Sequence, residues 1–242
     1  MKKHFTLLFL LITLSVTSIS QSVEQLFSYG LDKHNRTDYT GAISDFSTAI
    51  NLKPDYATLY FCRGQSYAEL KNYKKAIDDF SKSIELNPLH TKTYIEIATA
   101  FMKINMNSKA ITSINKLMVI EPFNIDAFIL RGLAKTKTND FAGAISDFTS
   151  ALSLDANNFK ARYHLGMAKY LQSDFGGAIL DFELLLKQEP ENVDLHYYLG
   201  VSNLRVSKVK TGCMHLVKAQ SLGDSRPFQM IRDRCAFIED ED

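Results

Sequence analysis

Six histidines and three cysteines are the side chains of this 242-residue chain best suited to bind a metal or attack a carbonyl, and their spacing supports neither role. His4, His34, His90, His164, His196 and His215 contain no pair at the i, i+4 step that sets two ligands on one helix face. No CxxC, no GxSxG and no glycine-rich phosphate loop occurs; Gly41, Gly143, Gly176 and Gly177 look like such a loop only in composition. Asp45, Asp79, Asp147 and Asp181 recur at a 34-residue step, and a row of carboxylates can hold a cation. Arg63 and Arg131 stand where they can pair with Asp79 and Asp147, so ion pairing is the plainer expectation. His164 and His196 could approach each other from neighbouring helices, but ordinary surface or groove histidines account for them as well. An enzyme, a cofactor and a metal site are therefore not expected.

The elements that carry these residues follow from the same 34-residue step. Pro54, Pro88, Pro122 and Pro190 stand on one ladder, with Ala156 and Asp224 on its other rungs. Gly30, Gly64, Gly132, Gly166 and Gly200 form a second ladder, with Ala98 on the vacant rung. Ala42, Ala76, Ala110, Ala144 and Ala178 form a third, continued by Gly212. Phe46, Phe80, Phe148 and Phe182 form a fourth, with Ile114 and Leu216 in the gaps. Six units run without an insertion, which marks a stacked array in which each unit buries its apolar faces against its neighbours.

Inside each unit are two apolar stripes of helical period with a short polar break between them. In the second unit Tyr60, Arg63, Gly64 and Tyr67 mark one helix, and Tyr73, Ala76, Ile77, Phe80, Ile84 and Leu86 the next; Lys71 and Asn72 fill the break. Proline is expected to stop the second helix, because it lacks an amide hydrogen. A mid-helix glycine costs about 1 kcal/mol relative to alanine. Gly64 and Ala76 are therefore expected to let two backbones cross, with Phe80 filling the far side.

These residues resemble the tetratricopeptide repeat (TPR) family, through an aromatic or leucine at position 4, Gly or Ala at 8, Ala at 20, Phe at 24 and Pro at 32. The units run over residues 23–56, 57–90, 91–124, 125–158, 159–192 and 193–226, the last being the most divergent. Unit five carries Arg162 at the aromatic position. The resemblance implies an all-α fold: an α-solenoid, wound as a right-handed superhelix, of six helix-turn-helix hairpins. No linker breaks the register of residues 21–226, so one continuous superhelix is expected rather than two domains. Residues 227–242 read as a C-terminal capping helix and an acidic tail, with Phe228, Ile231, Cys235 and Ile238 on one helical face.

Lys2 and Lys3 precede an apolar run from Phe5 to Ile19, and Ser18-Ile19-Ser20 offers a small-x-small cleavage site. Residues 1–20 thus read as a secretory signal peptide, shorter in its apolar run than the roughly 20 residues a membrane span needs. The exported form, periplasmic or extracellular, is expected to have no stable membrane insertion. The formal charge of +1 falls to about −1 without Lys2 and Lys3, which leaves no basic stripe for nucleic acid. Cys62, Cys213 and Cys235 remain after export. If the last hairpin and the cap pack antiparallel, Cys213 and Cys235 lie at similar height and a disulfide is possible; two small buried side chains are the other reading. Asn35-Arg36-Thr37 is a glycosylation sequon, meaningful only in a eukaryote.

The resemblance also implies where a partner would sit, since positions 2, 5, 9 and 12 of each first helix line the concave face of such arrays. Positions 5 and 9 are Phe27 and Leu31, then Phe61 and Gln65, then Ile95 and Thr99 in the first three units. In the last three they are Ile129 and Leu133, Tyr163 and Met167, and Tyr197 and Val201; Tyr170 adds position 12 of unit five. Chaperone-binding members of the family grip a carboxylate with Lys at position 5 and Asn at position 9, and Phe27 and Leu31 remove that option. The groove implies instead a protein or peptide partner with an apolar or aromatic segment, extended or helical. A self-assembling envelope protein, and hence a homo-oligomer, is the alternative.

Overall fold

The computed structural model describes residues 22–235, which hold thirteen helices and no strand. The expected signal peptide (1–20), Ile238 and the acidic Glu239–Asp242 run lie outside the described residues. The chain divides into two compact units, Met1–Pro122 and Phe123–Asp242, so the single body expected from the unbroken register meets a division at the third proline rung.

The first unit contains α1 (22–35), α2 (Tyr39–Leu52), α3 (Ala57–Glu69), α4 (Tyr73–Leu86), α5 (Thr91–Lys103) and α6 (Asn107–Ile120). The second contains α7 (Ile125–Lys137), α8 (Phe141–Leu154), α9 (Phe159–Leu171), α10 (Phe175–Leu186), α11 (Val193–Arg205), α12 (Val209–Ser221) and α13 (Phe228–Arg234). Consecutive helices pack as hairpins, and α3 also touches α5 as α7 touches α9, so first helices lie side by side within a unit.

Local chemistry starts and stops these helices at the repeat step. Asp38, Asn72, Asp140 and Asp174 cap second helices by accepting a hydrogen bond from the amide three residues on. The capped amide is that of Gly41 in α2 and of Lys75 in α4, so the cap takes a glycine or a full side chain. It also disposes of the phosphate-loop likeness, because Gly143 and Gly177 are the corresponding capped amides. At the other end, α8 stops at Leu154 without a proline, at the same register as α4 at Leu86 before Pro88. Asp155 accepts there from the Asn157 amide at 3.1 Å and from the Asn158 side chain at 3.1 Å, as Asn87 beside Pro88 accepts from the Leu89 amide. Proline is thus not required to end a second helix: α8 stops without one, and α12 stops at Ser221 before Gly223, whose φ is 99°.

Each hairpin turns through a non-glycine residue in the left-handed region: Thr37, Lys71, Asn105, Asn139, Ser173 and Ser207, with φ between 57° and 69°. Phe46, Phe80, Phe148 and Phe182 are fully buried at the hairpin centres, each worth roughly 3 kcal/mol of apolar burial. Gly30, Gly64, Gly132 and Gly166 make room for these rings, which corrects the expectation of a backbone crossing at Gly64; only at Gly200, against the Gly212 carbonyl, do two backbones approach closely. A Cβ on Gly64 would lie 2.7 Å from Phe80 Cε1, and one on Gly132 2.7 Å from Phe148 Cε1. In the third hairpin both change together, Ala98 facing Ile114, both fully buried, whereas the sixth keeps Gly200 against Leu216.

The cap is shorter and differently aimed than expected. Helix α13 packs on the cluster of Val201, Cys213, Leu216 and Cys235 through Met230 and Ile231, while Phe228 stays 59% exposed. Seven residues make two turns, so the face that packs is chosen by the cysteine end. Cys213 and Cys235 are joined as a disulfide, with Cα atoms 5.6 Å apart.

Candidate functional site

The first helices present the candidate surface, and each side chain on it is held by the second helix behind. In the first unit Phe27, Leu31, Phe61, Gln65, Ile95 and Thr99 are all half-buried. Phe27 rests 6.1 Å from the Phe46 ring and 6.2 Å from Tyr56, and Phe61 rests 6.0 Å from Phe80 with its edge to His90 at 4.7 Å. The buried phenylalanine ladder thus supports the outer aromatic column. Gln65 is engaged, donating to Glu96 Oε1 at 3.0 Å, and His34 meets Ser66 at 2.9 Å.

In the second unit the column is less uniform. Leu133, Tyr163, Met167 and Tyr170 are half-buried. Burial pushes the Tyr163 hydroxyl up to about 12, so it remains a neutral donor at any ordinary pH. Ile129 and Val201 are not surface residues: they are 3% and 5% exposed. Ile129 belongs to the cluster built on Phe148, and Val201 lies beneath Tyr170 and Tyr197 beside the disulfide. Both leave the set of side chains a partner could touch.

Tyr197 is covered on one face by the guanidinium of Arg226, 4.1 Å from its ring centroid. Arg226 is anchored to Asp194 at 2.6 Å and to Asp224 at 2.9 Å, which holds the Asp224 carboxyl below its ordinary range. Position counting missed this because Arg226 comes from the next segment of chain. It also missed Tyr198, stacked on Phe182 at 5.8 Å and set edgewise to Tyr170 at 5.3 Å. Phe175 meets Tyr170 edgewise at 5.6 Å, which joins α9, α10 and α11 in one aromatic cluster. An aromatic residue directly after Tyr197 was the available signal.

The recurring aspartates are structural anchors. Arg63 takes Asp79 with both prongs, and Arg131 takes Asp147 at 2.6 Å with Lys135 at 2.8 Å on the other oxygen. Asp181 is shared by Arg162 and Lys169, and Asp45 pairs with Lys33. The histidine approach considered above does not form. His164 stacks on Phe148 at 5.7 Å, whereas His196 meets His215, Nδ1 to Nδ1 at 3.0 Å. His196 Nε2 donates to the Pro190 carbonyl, so its Nδ1 accepts from His215. Among the described residues no group of three or more His, Cys, Asp or Glu is placed to hold a metal ion, and no helix is long and apolar enough to cross a membrane.

Repeated hairpins, each closed by a large side chain seated against a small one, define a helical repeat protein. Tetratricopeptide repeat families match residues 57–89 and 129–188, and a TPR repeat family matches residues 33–71, so the protein carries tetratricopeptide repeats over those stretches. Solved structures share the fold. PilW, a widely conserved type IV pilus biogenesis factor, aligns with a TM-score of 0.72 at 16% identity over 88% of this chain and 99% of its own. A tetratricopeptide repeat protein from Parabacteroides merdae aligns at 0.71 and 15% identity, over 88% and 97%. YrrB, a TPR protein with an unusual peptide-binding site, aligns at 0.67 and 20% identity, over 78% and 97%. At these identities the likeness is one of fold. No curated protein matches the chain.

Proposed function

We propose that the protein is a non-catalytic scaffold that binds an apolar or aromatic segment of a protein partner along its first helices. One observation carries the reading: Phe27, Phe61, Ile95 and Tyr163 recur at the same helical position, all half-buried, with Phe27, Phe61 and Tyr163 backed by the core. Side chains held in this way offer apolar area at little ordering cost, which favours binding. The peptide site named for YrrB lends support on a similar fold. With Ile129 and Val201 buried and Tyr197 half-covered, the surface of the first unit comprises Phe27, Leu31, Phe61, Ile95 and Thr99, with Gln65 at its polar edge, and that of the second unit comprises Leu133, Tyr163, Met167 and Tyr170.

Export belongs to the same proposal. The Lys2-Lys3 start, the apolar Phe5–Ile19 run and a cysteine pair joined as in an oxidising compartment favour a periplasmic or extracellular site. Fractionation of cells expressing the full chain tests this, and protein retained uncleaved in the cytoplasm would refute it.

Phe61→Glu with Tyr163→Glu tests the surface. Cross-linked pull-downs from the native envelope are expected to lose the partner that the unaltered chain captures, with helicity by circular dichroism unchanged. Retained capture would remove the groove from the proposal. Self-association is the second reading, favoured by Leu180 and Met214, 64% and 63% exposed on α10 and α12 one repeat apart. Light scattering after size exclusion separates the two: a monomer sets self-assembly aside.

A further inference from the structure

One departure of the third hairpin from its neighbours leaves a hole. In the second hairpin Arg63 lies by Tyr60 and Tyr67, 5.7 and 6.0 Å from their ring centroids, and donates to Asp79 and to Ser47. One repeat on, Ile97 stands in the register of Arg63, Ser113 in that of Asp79, and Ser81 in that of Ser47. The aromatic positions are kept, as Tyr94 and Phe101. The fourth hairpin restores the filling with Arg131, Phe128 and Asp147.

An isoleucine is too short to fill the space a guanidinium occupies. At that place α4, α5 and α6 line a slot open to solvent, of about 330 Å³, floored by Ile84, Tyr94, Ile97 and Phe101. The volume is at the lower end of the range for small-molecule sites.

Charge is unbalanced at the same spot. Lys109 and Lys116 line the rim, in the register of Lys75 and Lys82. Around Lys75 and Lys82 the second hairpin places Asp78, Asp79 and Glu85, and Lys82 pairs with Glu85 at 2.6 Å. The third hairpin replaces these three acids with Thr112, Ser113 and Val119, and α6 carries no acidic residue. Neither rim lysine has a carboxylate within ion-pair distance among the described residues; Lys109 lies 5.7 Å from the Phe101 ring centroid. A slot that held a cation between aromatic rings has become an apolar slot under two cations.

We propose that this vacated slot is a binding site for a small organic anion with an apolar body and a single carboxylate head. The body takes the guanidinium's place over Ile97, between Tyr94 and Phe101. The head meets Lys109 and Lys116 alone, because the Thr112 and Ser113 hydroxyls already donate to the Ser108 and Lys109 carbonyls at 3.0 Å. The slot lies among α4, α5 and α6, apart from the first-helix surface, so it stands or falls independently of the partner proposed above.

Decanoate is the test ligand, titrated calorimetrically into the full chain, with decanol and inorganic phosphate as comparisons. Decanoate is expected to bind at one site per chain, more tightly than decanol, and phosphate alone is expected not to compete. Ile97→Arg with Ser113→Asp rebuilds the second hairpin's own filling and should abolish binding while the melting temperature holds or rises. Lys109→Gln with Lys116→Gln, which touches no core residue, should weaken decanoate about tenfold and leave decanol unchanged. The proposal is overturned by unchanged decanoate affinity in the folded, refilled variant, by decanol binding as well as decanoate, by full competition from phosphate, or by no binding at all. Should the refilled variant fail to fold, unchanged decanoate affinity in the lysine variant overturns it equally.

Discussion

Arg63 and Asp79 meet across one hairpin in a two-pronged pair, Nε to Oδ2 at 2.8 Å and Nη2 to Oδ1 at 2.7 Å. Both side chains are largely out of solvent, at 19% and 7% exposure, so removing either strands the other's charge.

Arg63→Ile alone is therefore expected to cost about 3 kcal/mol of stability, whereas Arg63→Ile with Asp79→Ser, the pair the third hairpin already carries as Ile97 and Ser113, is expected to cost clearly less. Urea unfolding of the parent, the two single variants and the double variant checks this. A double variant no more stable than Arg63→Ile would show that the lost attraction, not the stranded charge, governs the site.

Gly132→Ala sets a Cβ 2.7 Å from Phe148 Cε1. Overpacking of that kind costs about 2 kcal/mol. Adding Phe148→Ile is expected to recover part of the loss, because Ala98 and Ile114 coexist in the third hairpin. Denaturant midpoints for the four chains should show the double variant losing less than the singles combined; simple additivity would contradict the proposed seating of ring on glycine.

Acid should weaken the fold through its histidines. Burial holds His90, His164 and His215 below the ordinary value of 6.5, His164 down to about 4, and the neighbouring His196 adds to the effect on His215. With folded-state values depressed, the unfolded chain takes up protons first. Stability is then whole above pH 6.5 and drains as pH falls from there toward about 4. Tm measured over that window is expected to decline less in His164→Gln than in the parent. Parallel declines would assign the acid sensitivity elsewhere.

The bridge between Cys213 and Cys235 spans 22 positions, and its loss through Cys213→Ser with Cys235→Ser should cost about 3 kcal/mol, with α13 exchanging its amide hydrogens first. Dithiothreitol should lower the melting temperature of the parent and leave the serine variant unmoved. Equal sensitivity in both would exclude the bridge as the cause.

Much of this was legible because the same side chains return to the same place. Helix bounds in the second hairpin follow from Tyr73 to Leu86, and the Arg63–Asp79 and Arg131–Asp147 pairs follow from register alone. What escaped depends on neighbours that no periodicity names. Position 9 of the last hairpin carries Val201, which reads as surface but lies under Tyr170 and Tyr197. Tyr197 reads as open but is covered by Arg226, a residue of the following segment. His164 and His196 lie on neighbouring first helices but out of register, and each is claimed elsewhere: His164 by Phe148 of the preceding hairpin, His196 by His215 of its own. The left-handed turns were hidden for another reason: Thr37, Lys71 and Ser173 are not the residues that usually announce positive φ.

Those turns give each unit an edge that can vary without disturbing the interior. Thr37, Lys71 and Asn105 point exposed side chains outward from one unit, and Asn139, Ser173 and Ser207 do so from the other, while the phenylalanines behind stay sealed. Labels, tethers or altered charge can be introduced there one repeat at a time, and a substitution need only tolerate the turn.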